Sequence, residues 1–167
     1  MGGINIVQLD FDTGKPNGIN RLEFLRRMQA VQAFAEDTGG FSSTYSYASL
    51  MAMMNSIGEG DDSGTLKLPS NSLKLNLFVV LLKTTNYPFL QALSDDTQQT
   101  AHLVLRTTDV PSGEFVQLLE SVEQRAREIM PEEVGVSAQA GLQTVLKADK
   151  EIVDAQLGSL IITLIAM

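Results

Sequence analysis

Two carboxylates one residue apart, Asp10 and Asp12, close an apolar run and are followed by Thr13. At such a strand end one aspartate could attack phosphorus while the second acts as acid and base. That chemistry also needs Mg²⁺, a later lysine and acidic residues at further strand ends. The chain meets those needs poorly, because the only lysines after Thr107-Thr108 are Lys147 and Lys150, and Asp95-Asp96 comes before that strand rather than after it. Polar residues leaving a strand for a turn explain Asp10 to Thr13 more simply. His102 is the sole histidine and cysteine is absent, which excludes a thiolate site, a disulfide framework and a transition-metal set. The histidine reads as a partly buried structural residue in a strand. Asp61-Asp62 sits in a glycine-rich loop that lacks the alternating oxygen ligands and closing glutamate of a Ca²⁺ loop. The expectation is therefore no catalytic residue, no metal and no cofactor.

A different chemistry belongs to Met51, Met53 and Met54. Methionine fills irregular apolar spaces and is over-used where greasy ligands are accommodated. The cluster is either a core filler or, with Met51, Met54, Phe78 and Phe89 together, the lining of a hydrophobic path.

These residues need elements to hold them. Residues 4 to 11 alternate, with Val7, Leu9 and Phe11 on one face of a strand. A breaker-rich turn follows, and Asn20, three residues before Glu23, predicts a capped helix to about Asp37 with Leu25, Met28, Val31 and Ala35 in one stripe. Gly39-Gly40 ends it, and Phe41 to Ser46 reads as a short edge strand. Ala101 to Thr107 forms a second alternating strand. Pro111-Ser112 then opens a helix carrying Phe115, Leu118, Leu119, Val122, Ala126 and Ile129, and Pro131 stops it before a last strand containing Val134, Val136, Ala138 and Ala140. The sum is two β-α-β units, which places the chain in the α+β class as a ferredoxin-like split sandwich. Between the halves, 47–98 forms an insertion of different texture. In it Leu73 to Leu82 could alternate as a strand, but Pro69-Ser70 ahead of it favours a helix, so the insertion is expected to be mainly helical.

The 167 residues suffice for one self-supporting core, and 20 acidic against 12 basic side chains give a net charge of −8. That balance argues against nucleic acid as a partner. Leu142, Val145, Leu146, Ile152 and Val153 recur at helical spacing, after which Leu157 to Met167 carries no charge. Such a run is too short for a full span of roughly 20 residues. It fits either the first half of a membrane helix or a buried terminal strand rich in Ile.

The order of features resembles a large extracytoplasmic loop of the resistance–nodulation–division exporters, in the branch of the mycobacterial large membrane proteins and Patched-like transporters. The residues that carry it are the opening strand Ile4 to Asp10, the helix to Ala35, Ser46 with Leu50-Met51, Leu68-Pro69 before an apolar segment, Asp95-Asp96, and Thr107-Thr108-Asp109. The last portion adds Gly141-Leu142 and a polar helix through Gln156, Ser159 and Leu160 that turns apolar. The resemblance implies one porter-type domain over 1–156 and the start of a transmembrane helix at 157–167, with Gly141 as hinge between sheet and helix. It further implies a longer, proton-driven membrane protein of the inner membrane with this domain on the periplasmic side, attached through flanking transmembrane helices and handling a hydrophobic small molecule or lipid. A homo-oligomer or a periplasmic partner fits that picture. No energising residue can be carried over, since in that family those residues lie within the membrane. Two other classes compete with it: a stand-alone ligand-binding or sensory module, and a phosphatase of the haloacid-dehalogenase type, whose first motif Asp10-Phe11-Asp12-Thr13 resembles.

If Leu157 to Met167 belongs in lipid, cutting the chain after Gln156 raises solubility and lowers self-association while the unfolding midpoint stays nearly constant. A core element would behave oppositely, because losing several Leu and Ile side chains at roughly 1.5–3 kcal/mol each exceeds the usual stability margin. Thermal melts and size-exclusion chromatography of the two chains distinguish these outcomes.

Overall fold

In the computed structural model the described residues are 5–60, 64–107 and 110–140. Strand β1, Asn5–Asp12, alternates as its sequence requires: Val7, Leu9 and Phe11 are at most 2 % exposed, while Gln8 and Asp10 face the other way. The chain then turns through Gly14, whose φ of +68° suits a residue without a Cβ. Gly18 closes the turn so tightly that an added Cβ would lie 2.0 Å from Thr13 Oγ1.

Helix α1, Leu22–Asp37, buries Phe24, Leu25, Met28, Val31 and Ala35, a stripe at three- and four-residue spacing. Its start differs from the expected Asn20 cap. Arg21 stands at the cap position without a side-chain bond, because the Asn20 side chain is used in tertiary contacts: its Nδ2 donates to Gln98 Oε1 at 2.5 Å and its Oδ1 accepts from the buried Tyr47 hydroxyl at 2.6 Å. Strand β2, Ser43–Ser46, passes directly into helix α2, Tyr47–Glu59. The switch is built by a reciprocal cap, in which Ser46 Oγ accepts from Ser49 N–H and Ser49 Oγ accepts from Ser46 N–H.

The insertion is helical as expected. It continues through α3, Ser72–Thr84, whose Asn71 side chain accepts from Lys74 N–H at 2.9 Å, and the short α4, Pro88–Leu93. That cap and the helical spacing of buried Leu75, Phe78, Val79 and Leu82 decide against the strand alternative for this segment. Strand β3, Thr100–Thr107, helix α5, Ser112–Ile129, and strand β4, Gly135–Ala140, complete the described chain.

The four strands form one antiparallel sheet in the order β2-β3-β1-β4. Each β-α-β unit therefore leaves a gap between its two strands, and a strand of the other unit fills it. The class is α+β. Helices α1 and α5 pack against one another, and Arg27 of α1 donates through Nη1 to the Ile129 carbonyl at the end of α5 at 2.6 Å, satisfying an acceptor that a helix terminus leaves open. One core cluster joins Leu9, Phe11, Leu25, Met28, Leu103, Leu105, Val122 and Ala126 to the insertion's Leu50, Met51, Met54, Leu75 and Leu82.

Phe11 is fully buried within this cluster. Phe11→Ala is expected to cost about 3–5 kcal/mol, whereas Gln117→Ala on the exposed side of α5 should stay within about 0.5 kcal/mol. Urea unfolding of both variants checks the contrast.

Candidate functional site

The register of the central strands assembles the only histidine with a carboxylate. Asp10 on β1 lies directly opposite His102 on β3, and opposite Ser137 on β4. Because side chains alternate across a strand, Gln8, Asp10 and His102 all point away from the face that carries Leu9 and Leu103. Asp10 Oδ1 accepts from Gln8 Nε2 at 2.6 Å and from His102 Nδ1 at 2.7 Å. A carboxylate only accepts, so His102 carries a proton on Nδ1. Gln8 Nε2 also comes within 2.9 Å of that nitrogen, but with Nδ1–H already donating this approach is a contact between two donors. The pair is partly shielded, with side-chain exposures of 14 % for His102 and 15 % for Asp10. Burial pushes the Asp10 carboxyl up, and the hydrogen bonds from His102 and Gln8, with the attraction of the imidazole, pull it further down, leaving it below its ordinary value.

This arrangement holds a proton and orients an imidazole, with Asp10 Oδ1 engaged by both Gln8 and His102. Asp12 does not join Asp10 in a reacting pair, since its Oδ1 accepts from Gly14 N–H at 2.7 Å and Gln99 Nε2 at 2.9 Å to shape the turn. Asp95 likewise organises a turn, accepting from Thr100 N–H at 2.7 Å and Thr97 N–H at 3.2 Å. Among the described residues no group of three or more His, Asp or Glu side chains is placed to hold a metal ion. Asp61-Asp62, the Gly141 hinge candidate and Leu157 to Met167 lie outside the described residues.

The four path candidates are divided by the fold. Met51, Met54 and Phe78 are 0 %, 2 % and 5 % exposed within the core cluster, and Phe89 is half-buried at its margin. Phe89 meets Tyr45 edge-on at 6.0 Å and Tyr87 at 6.4 Å between ring centres. Clefts open elsewhere: one beside Lys15, Arg21, Arg27 and Glu133, one beside Lys83, Tyr87, Asp95 and Gln98, and one where Leu118 passes the Gly39-Gly40 turn. None of these three is lined by Met51, Met54, Phe78 or Phe89.

Sequence reasoning missed the partners of His102, which depend on strand register, and the Tyr47–Asn20–Gln98 network, in which Asn20 had the appearance of a helix cap. It also missed the outer side of α3, where Leu73, Leu77 and Val80 are exposed. The signal for α3 was present, since Leu73 to Leu82 is apolar at positions that cannot all face one side of a helix. No described helix is long and apolar enough to cross a membrane. Comparison with known proteins yields no matching family model, no match among curated proteins and none among solved structures.

The lowered pKa of Asp10 has a defined sign in stability. Its ionised form stabilises the fold above the ordinary carboxylate pKa of 3.8, and that contribution is lost as pH falls through the lower, folded-state value. Asp10→Asn should be less stable than the parent at neutral pH and should show a flatter loss of stability below about pH 4. Denaturant midpoints measured across that acid range test it.

Proposed function

We propose that this chain is an extracytoplasmic porter-type domain of a proton-driven exporter of the resistance–nodulation–division type, located on the periplasmic side of the inner membrane and guiding hydrophobic or lipid-like molecules outward. The observation that carries the reading is the strand order β2-β3-β1-β4 with an apolar helical insertion placed between β2 and β3. That order is the one expected of a ferredoxin-like sandwich made from two split β-α-β units, and the insertion falls between them, as in the order of features that carries the resemblance. In this reading the domain has no catalytic residue and takes no cofactor. Its work is mechanical: helix movements in the membrane part and close the helices of the insertion, and Gly141 is the hinge at which the sheet meets the membrane-entering helix.

Burial of Met51, Met54 and Phe78 in the core narrows how such a path can operate. An apolar molecule reaches them only when α2 and α3 separate, so in the closed domain Phe89 is the path residue within its reach. Substituting Met54 by Glu would place an unpaired charge in the core and unfold the domain, whereas Phe89→Ala removes only packing at the margin of the cluster, against Tyr45 and Tyr87.

Two measurements test the proposal. The coding sequence on both sides of this segment should encode several apolar spans of roughly 20 residues, and a segment without such neighbours overturns the exporter reading. A fluorescent fatty acid should bind the domain weakly, and Phe89→Ala should lower that binding several-fold while the variant still unfolds cooperatively, at a reduced midpoint because its packing on Tyr45 and Tyr87 is lost. Unchanged binding in the folded variant puts the path elsewhere.

A further inference from the structure

Helix α3 is apolar on two sides. Its inner side buries Leu75, Phe78, Val79 and Leu82, yet Leu73, Leu77 and Val80 are 81 %, 64 % and 60 % exposed. These three recur at intervals of four and three residues and so form one continuous stripe. A helix lying on a domain surface ordinarily turns polar side chains outward. Scattered single exposed leucines need no explanation, but a contiguous row of large aliphatic side chains marks a surface that meets something.

Charge indicates what it meets. Residues 64–94 contain Lys67, Lys74 and Lys83 and no acidic residue, in a chain that has 20 acidic side chains and a net charge of −8. At 3.6 residues per turn, Lys74 sits about 100° to one side of Leu73 and Lys83 about 80° to the other. Lysines therefore border the apolar stripe on both flanks. Lys74 is paired with Glu59 at 2.6 Å, while Lys83 is exposed. The exposed cation therefore lies on the Lys83 flank, and a lysine beside an aliphatic stripe is the pattern of a helix lying in a lipid interface, where the lysine stem runs along the apolar layer and its ammonium group reaches the phosphates.

A second copy of the chain fits less well. Three partly exposed aliphatic side chains offer on the order of a few hundred Å², under the roughly 800 Å² per partner of a standard interface. Stripe-to-stripe packing across a two-fold axis would also bring the bordering lysines of two copies near each other.

We propose that the outer face of α3 docks on an anionic lipid surface, with Leu73, Leu77 and Val80 seated at the boundary between headgroups and acyl chains and Lys83 engaging lipid phosphates. This rests on α3 alone and holds whether or not the chain belongs to an exporter. Co-sedimentation of the full chain with vesicles tests it. Vesicles of equal parts phosphatidylglycerol and phosphatidylcholine should bind the chain about tenfold more tightly than phosphatidylcholine alone, with affinity falling as salt rises. The double variant Leu73→Ser, Leu77→Ser should lose roughly tenfold or more of that binding with an unchanged unfolding midpoint, since both side chains are exposed, and Lys83→Glu should weaken it and reduce the salt dependence. Binding that survives the double variant intact overturns the proposal and assigns lipid contact to another segment, such as Leu157 to Met167. Absence of binding to the anionic vesicles overturns it too. A parent chain that is dimeric by sedimentation equilibrium and made monomeric by the double variant would identify a second copy as the occupant, also against the proposal. Failure to find flanking membrane spans leaves this result standing, so the two readings fail separately.

Discussion

β1 runs between β3 and β4, and its two-residue alternation constrains both faces of the sheet at once. With Leu9 opposite Leu103, the odd-numbered side chains Val7, Leu9 and Phe11 enter the core and the even-numbered Gln8 and Asp10 are turned to the other side. A slip of one residue would exchange the faces, burying the carboxylate of Asp10 and exposing Phe11. The apolar face thereby enforces the polar one. Asp10 meets His102 because Leu9 must meet the core, and the hydrogen bonds from His102 and Gln8 offset the desolvation that shielding from solvent imposes on the carboxylate.

Around that strand, the helices of the two β-α-β units and those of the insertion solve different problems. Helices α1 and α5 cover the sheet, and each shows a polar outward side, with Glu23–Arg27 on α1 and Glu123–Arg127 on α5 as exposed i,i+4 pairs. Those pairs contribute a few tenths of a kcal/mol at most and serve mainly to keep the surface solvated. The insertion has no comparable sheet face of its own. It extends the core sideways by starting α2 at the residue after β2, where the Ser46–Ser49 cap lets the chain change from strand to helix without a loop. Tyr47 is then buried at the first turn and ties α2 back through Asn20 to Gln98, at the turn that leads into β3. The insertion is thus anchored at both of its ends to the sheet that it interrupts.

Periodicity made most of this architecture legible. The strands around Leu9 and Leu103, the stripe of α1 and the Pro111 start of α5 each have one period that fits and one that does not. Helix α3 was harder, since L-K-L-N-L alternates like a strand, and the deciding feature is the Asn71 cap, a local bond that propensity alone does not reveal. Asn20 shows the opposite failure. An asparagine before a helix is a natural cap, yet here two distant residues, Tyr47 and Gln98, compete for its side chain and win it. The pairing of Asp10 with His102 could not be read at all, because it depends on a register between strands more than ninety positions apart. Burial of the methionines was equally hidden: an apolar residue on an apolar helix can face either side, and only the packing of α2 against its neighbours places Met51 and Met54 inside.

That last ambiguity shifts where contact with apolar molecules is to be sought. A methionine cluster invites the thought of an adaptable greasy site, but a site must be reachable, and at 0 % and 2 % exposure Met51 and Met54 contribute cohesion instead. Opening a way to them would separate core surfaces whose burial supplies much of the insertion's stability, at a cost that an isolated domain of ordinary margin could not sustain as a resting state. The exposed leucines of α3 carry no such cost, because they are already outside while the inner side of the same helix holds it in place through Leu75, Phe78 and Leu82. A helix fixed on one side and apolar on the other can meet a lipid or protein surface without any rearrangement of the sheet. In this fold the outside of the insertion is therefore better suited to apolar contact in the resting state than its interior.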